Sequence, residues 1–158
     1  MTVELQKEHK WLEQLVGEWT YVSEAGAPGE APSRSTGTES VRSLGGAWVV
    51  GEARGEMPDG GTGTSLMTLG YDPEKKRYVG TFIGSMMTAL WVYEGELDEA
   101  ERKLTLNTEG PSVTGEGTAM YRDAIEITGA DERVMTSSFQ DGAGNWNHFM
   151  TMSYRRVK

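Results

Sequence analysis

Hydrophobic and polar residues alternate along most of this chain, in short segments separated by turns. Alternation with a period of two is typical of strands that bury one face. Turn sequences such as Asp72-Pro73 and Asp141-Gly142 fall between the segments. The pattern predicts an all-β fold, a single closed antiparallel β-barrel of about ten strands. The predicted strands are 18–23, 37–44, 47–57, 63–71, 77–85, 88–97, 103–109, 117–128, 133–141 and 146–157.

A helical period precedes the first strand. Leu5, Leu12, Leu15 and Val16 share one helical face, and Gly17 follows directly. We therefore expect a short N-terminal α-helix, about 4–16, packed near one mouth of a barrel that spans about 18–157. No change of composition divides the chain, so 1–158 is predicted to be one domain. The longest predicted loop, 25–35, is interpreted as surface chain, with a lid as the alternative.

Charge and composition limit the kinds of partner that we expect this protein to bind. The net charge is −9, and the longest basic run is Lys75-Lys76-Arg77, which disfavours binding to nucleic acid. The chain has no cysteine, so thiolate chemistry and thiolate-ligated metals are excluded, and a reducing compartment is favoured. The sequence contains no apolar stretch of the length needed for an export signal or a membrane span. We therefore expect a cytoplasmic protein without a membrane partner.

Two sets of motifs carry a family resemblance. Gly17-Glu18-Trp19 after the helix, with Arg155 and Arg156 near the chain end, resembles the lipocalin or calycin arrangement, in which a basic side chain from the chain end covers a first-strand Trp. The second set resembles the bacterial domain-of-unknown-function family 1579 over 12–156. The resemblance implies a calycin-like barrel and brings no established activity. Its motifs are Leu44-Gly45-Gly46-Ala47-Trp48, Gly70-Tyr71-Asp72-Pro73, Tyr78-Val79-Gly80-Thr81, Ser85-Met86, Glu94-Gly95, Glu109-Gly110-Pro111 and Tyr121-Arg122-Asp123.

Strand faces rich in Trp, Met and Tyr are expected to point into the barrel. We predict that a small apolar or amphipathic molecule binds there, and flexible Met side chains suit such a cavity, although they also serve as ordinary core filling. Arg54 or Arg122 would anchor a ligand carboxylate if its face points inward, with Glu52 as the internal partner; a solvated strand face is the alternative. The other predicted lining residues are Trp48, Met86, Trp91, Met120, His148 and Met150.

Two other functions stay open. His148 alternates in phase with Trp146, Met150, Met152 and Tyr154, so it is either a hydrogen-bonded core residue or, by analogy with nitrobindin-like barrels, an axial haem ligand. Apart from haem no cofactor is expected, and two histidines exclude a three-histidine zinc site. We found no motif that pairs a nucleophile with a base, so an enzyme is not favoured. Both faces of 88–97 are apolar, which also fits a homodimeric interaction module.

Overall fold

The computed structural model describes residues 2–26, 29–57 and 59–157. Ten antiparallel strands pair with their neighbours in sequence, and pairing of the first strand with the last closes the barrel. The fold class and all ten predicted strands are confirmed. The strands are β1 (Gly17–Ala25), β2 (Ser33–Leu44), β3 (Trp48–Glu56), β4 (Thr62–Asp72), β5 (Arg77–Gly84), β6 (Trp91–Leu97), β7 (Lys103–Pro111), β8 (Thr118–Gly129), β9 (Glu132–Gln140) and β10 (Trp146–Val157).

The predicted helix is present but shorter than 4–16. Helix α1 covers Lys7–Leu12, and a 3₁₀ turn, Glu13–Leu15, leads into β1. The predicted loop 25–35 is also shorter, because β2 already begins at Ser33; residues 27 and 28, part of the lid interpretation, lie outside the described residues. Within the described ranges, we find no helix of the length and apolar character that a membrane span requires.

Helix α1 closes one end of the barrel. Its His9 is buried, and the Nδ1 atom accepts a hydrogen bond from the Gln6 N–H over 2.9 Å. The Nε2 atom therefore carries the proton and donates to the Tyr71 carbonyl over 3.0 Å. Trp11 Nε1 donates to the Glu101 carbonyl over 2.6 Å. Since six residues make too short a helix to persist alone, these contacts with the strands and turns hold it in place.

The interior below α1 is tightly packed. Apolar side chains from the helix and from five strands meet there with almost no exposed surface. Close packing of this kind leaves no room for a ligand at the helical end. The main contributors are Leu12, Leu15, Trp19, Leu69, Tyr78, Leu104, Leu106 and Ile125.

Trp19 links the two ends of the chain. Its Nε1 donates to the Leu15 carbonyl over 2.9 Å, and the Arg156 Cζ lies 4.3 Å from the centroid of the indole ring. The Arg156 guanidinium also donates to the Val16 carbonyl over 2.6 Å. A Cβ atom at position 17 would overlap this guanidinium, and φ at Gly17 is +139°, so the motif requires glycine there. The predicted cover of Trp19 by a basic side chain from the chain end is confirmed.

Candidate functional site

The barrel interior beyond the packed end contains a cavity of about 390 Å³. Its mouth lies at the end opposite α1, where Met87 and Val113, from the segments after β5 and β7, contribute to the lining. This volume is within the range of known ligand pockets, roughly 300–1,000 Å³. Much of the wall is apolar and formed by Met67, Phe82, Met87, Trp91, Val113, Tyr121, Met135, Phe149, Met150 and Met152.

A carboxylate lies in the wall of this cavity. Asp123 of β8 keeps part of its surface open, and its Oδ2 accepts a hydrogen bond from the Tyr93 hydroxyl over 2.5 Å. Ser137, directly across on β9, hydrogen bonds to the same carboxyl group. Burial raises the pKa of Asp123, and the two hydrogen bonds lower it in part. Burial and the neighbouring Asp123 carboxylate raise the pKa of Tyr93 well above its usual value.

The Thr108 hydroxyl has an unused hydrogen-bonding capacity. Thr108 lines the cavity from β7, the strand between those that carry Tyr93 and Asp123. Its side chain is 5% exposed, and within the described part of the chain the Oγ1 atom has no hydrogen-bond partner. A buried polar atom without a partner is uncommon in folded proteins. The Oγ1 atom has almost no accessible surface, so it reaches a bound molecule only if the Thr108 side chain rotates.

The interior also contains an ion pair. Arg133 Nη2 donates to Glu39 Oε1 over 2.5 Å, and both side chains are buried. The Arg133 Cζ lies 3.7 Å from the ring centroid of Tyr154, a cation–π distance. A Cβ atom at Gly51 would lie 2.8 Å from Glu39 Oε2, so the glycine makes room for the carboxylate. The charge of this guanidinium is therefore compensated within the protein.

Two residues of the predicted lining, Trp91 and Met150, do line the cavity. Trp48, Glu52 and Arg54 do not, because they lie on the exposed outer face of β3. The inner face of this strand consists of Val49 and the small residues Gly51, Ala53 and Gly55, which leave space for side chains from β1 and β2. The sequence-based placement of Trp48, Glu52 and Arg54 inside the barrel was wrong.

Met86, Met120 and Arg122 are also placed outside. Met86 follows β5 and is exposed. On β8 the inner face is that of Tyr121 and Asp123, so Met120 and Arg122 point outward, and the Arg122 Cζ lies 3.9 Å from the ring centroid of Trp146. The aromatic ring thus covers this guanidinium on the outer surface, and no ligand carboxylate in the cavity reaches it.

His148 lies outside the cavity because of a β-bulge. The register of β10 against β9 shifts between His148, opposite Ser138, and Met150, opposite Ser137. Phe149 is the extra residue, and both Phe149 and Met150 line the cavity. His148 is exposed, and its Nε2 hydrogen bonds with Thr151 Oγ1 over 2.7 Å. The predicted common face of His148 and Met150 was wrong, and His148 is neither a core residue nor a cavity residue.

The sequence analysis missed the polar groups that do line the interior. Glu39, Tyr93, Thr108, Asp123 and Ser137 alternate with outward residues on five different strands. One signal was available in the sequence. Asp123 lies two residues from both Tyr121 and Ile125, so alternation places it on the same strand face as these apolar residues. Among the described residues, no group of three or more histidine, aspartate or glutamate side chains is arranged to hold a metal ion.

The family assignment follows from a family-model comparison. The model described as a protein of unknown function, DUF1579, matches residues 4–156. The chain therefore belongs to this family, and the resemblance drawn from its motifs is confirmed. A search of curated proteins finds no significant match.

Solved structures share the architecture at low sequence identity. The crystal structure of Rv2717c from M. tuberculosis is 12% identical to this chain in sequence and has a TM-score of 0.62. The alignment covers 98% of this chain and 100% of Rv2717c. The S-type phycobiliprotein lyase CPES from Guillardia theta is 12% identical, with a TM-score of 0.59 and 99% coverage of both chains. EF1p2_mFAP2b bound to DFHBI is 11% identical, with a TM-score of 0.52 and coverage of 95% and 99%. At these identities the likeness shows the fold alone.

Proposed function

We propose that this protein binds a small apolar or amphipathic molecule non-covalently in the barrel cavity. The observation that carries the proposal is the contrast between the two halves of the interior. The half next to α1 is filled by buried side chains, whereas the other half encloses about 390 Å³. A concave, largely apolar cavity of this size is typical of a small-molecule binding site.

The chemistry of the wall supports the same function. Met67, Met87, Met150 and Met152 supply flexible thioethers, which adapt to apolar surfaces of irregular shape. Trp91 and Tyr121 stand edge to face, with ring centroids 4.9 Å apart, and offer rigid aromatic surface beside them. EF1p2_mFAP2b, which has a similar fold, is bound to DFHBI, and this supports the proposal. A groove beside Met120 on the outer surface also has a volume of about 500 Å³, but Trp91, Tyr121 and the four methionines of the cavity do not line it.

Binding of the neutral fluorescent probe N-phenyl-1-naphthylamine tests the proposal. Ser65 lines the cavity from β4, and Ser65→Phe would fill part of it. Arg54→Phe places the same side chain on the outer face of the neighbouring strand β3 and is the matched control. We expect saturable binding by the wild type, a loss of about tenfold in affinity for Ser65→Phe, and a change within about twofold for Arg54→Phe.

Thermal unfolding shows whether both variants are folded before their affinities are compared. The proposal fails if the wild type does not bind the probe saturably. It also fails if a folded Ser65→Phe variant binds as tightly as Arg54→Phe.

Self-association is a second candidate function. Leu90 and Val92 are 60% and 58% exposed, and they lie just before and on the outer face of β6. Neighbouring apolar residues that stay exposed on a single chain are typical of contact surfaces. Analytical ultracentrifugation from 1 to 100 µM, about the range of weak dimers, tests this candidate, with Val92→Glu expected to abolish any dimer.

A further inference from the structure

The charges that face the cavity define the kind of head group it accepts. Among the described residues, the lining of the cavity and of the small space beneath it includes three charged side chains, Glu39, Asp123 and Arg133. Two of them neutralise each other, and Arg133 lies beneath the cavity rather than in its lining. The charge left to meet a ligand is therefore the Asp123 carboxylate.

The Asp123 carboxylate has acceptor capacity to spare. An ionised carboxylate accepts about four hydrogen bonds. Tyr93 and Ser137 account for two at Asp123, which lines the cavity and is only partly buried. A ligand group that meets this carboxylate has to donate, because a second acceptor there would be repelled and would leave both groups unsatisfied.

The Thr108 hydroxyl lies on the strand between Tyr93 and Asp123 and has no partner among the described residues. A hydroxyl both donates and accepts one or more hydrogen bonds, so it complements a head group that carries several N–H bonds. The aromatic rings of Trp91 and Tyr121 in the same wall also favour a cation over an anion.

For an anionic ligand the nearest cation is Arg133, whose Nε atom has no hydrogen-bond partner among the described residues, but this side chain lies beneath the cavity and not in its lining. Arg133 Nη2 is held by Glu39, and Tyr154 covers the guanidinium at 3.7 Å. Arg122 stacks on Trp146 on the outer surface. To bind a carboxylate, the cavity would have to break the buried ion pair or hold the anion close to Asp123, and either change is costly.

We propose that the cavity selects a molecule with an apolar, aromatic-sized body and a protonated amine or similar N–H head group, which Asp123 and Thr108 bind, and that it discriminates against carboxylates. This inference rests on the proposed function, since it names the ligand class of the same cavity. It replaces the carboxylate ligand that an inward Arg54 or Arg122 would have anchored.

Three probes with one aromatic body test the inference by calorimetry: 1-naphthylmethylamine, 1-methylnaphthalene and 1-naphthoate. We expect the amine to bind about tenfold tighter than methylnaphthalene, and naphthoate to bind more weakly than either. Asp123→Asn should reduce amine affinity by about tenfold and change methylnaphthalene affinity by less than about twofold. Thr108→Val, which keeps the branched shape and removes the hydroxyl, should weaken the amine by a few-fold and leave methylnaphthalene unaffected.

The comparison of the three probes on the wild type needs no variant, so a folding defect in either variant leaves the test intact. The inference is overturned if naphthoate binds as tightly as the amine, or if the advantage of the amine persists in folded Asp123→Asn. Equal binding of all three probes would overturn the inference and leave the proposed function standing. Failure of all three probes and of N-phenyl-1-naphthylamine to bind would overturn both.

Discussion

Arg133 Nη2 donates a hydrogen bond to Glu39 Oε1 over 2.5 Å inside the barrel. The bond joins β9 to β2, and neither side chain is more than 9% exposed. Taking both charges out of water is costly, and their mutual attraction offsets that cost only while the pair is intact. This pair separates the packed half of the interior from the cavity, so its integrity matters for both.

Removal of either partner should destabilise the barrel strongly. Glu39→Gln leaves a buried guanidinium without a counter-charge, and Arg133→Met leaves a buried carboxylate unpaired. We expect each to lower the free energy of unfolding in urea by about 3–5 kcal/mol. The double variant should lose clearly less than the sum of the two, because neither charge is then left alone. Additive losses would show that the pair does not act as a unit.

Gly51 is expected to be sensitive to the smallest enlargement. The added Cβ of Gly51→Ala would lie 2.8 Å from Glu39 Oε2, and Arg133 holds that carboxylate in place. We expect a loss of about 1–3 kcal/mol in the free energy of unfolding. Gly142→Ala is the control, because its Cβ would meet nothing within 4 Å, and should change stability by no more than about 0.5 kcal/mol. Similar losses for the two variants would contradict the tight contact.

Asp123 should reduce the stability of the empty barrel at neutral pH. Burial raises the pKa of Asp123 in the folded state. Below the unfolded pKa, about 4, the carboxyl group is protonated in both states, and its contribution to stability is fully present. That contribution is lost as the pH rises through the folded pKa. Asp123→Asn keeps an acceptor for Tyr93 and should therefore unfold at a higher temperature than the wild type at pH 7. This advantage should disappear below about pH 4. An unfolding temperature at pH 7 that is lower for Asp123→Asn than for the wild type would contradict the raised pKa of Asp123.

Replacement of His148 should have little effect. The ring is exposed, and its hydrogen bond to Thr151 lies on the outer surface of β10. His148→Ala is expected to change the free energy of unfolding by less than about 0.5 kcal/mol. The visible spectrum of the protein mixed with haemin should be the same for the variant and the wild type. A Soret band that His148→Ala shifts or removes would contradict the expectation that His148 is not a haem ligand.

The number and order of the strands could be predicted from the sequence because two independent signals coincide there. Alternation marks each strand, and turn sequences such as Asp72-Pro73 and Asp141-Gly142 fix its ends. Alternation and turn sequences are local, so the sequence reveals them without knowledge of the packing. The contact of Trp19 with Arg156 joins the two ends of the chain, and it was expected only from the family resemblance of the Gly17-x-Trp19 motif.

The inner face of each strand was harder to predict because it depends on neighbours that are distant in sequence. On β3, residues as small as Gly51 face inward, since Glu39 of β2 occupies the space, and the larger Trp48 faces out. A rule that places large apolar residues inside fails in such a case. On β10, the bulge adds Phe149 as an extra residue, so His148 points outward while Met150 points inward. Simple alternation places both on one face, because it cannot reveal an extra residue.

The central claim is that a small molecule occupies the barrel cavity, and methionine methyl NMR tests it most directly. The chain has nine methionines; Met150 and Met152 line the cavity, and Met120 lies exposed on the outer face of β8. With methyl-labelled protein assigned by single Met→Leu variants, saturating N-phenyl-1-naphthylamine should shift the signals of Met150 and Met152 and leave that of Met120 unchanged. A shift confined to Met120, or no shift at saturation, would contradict the claim.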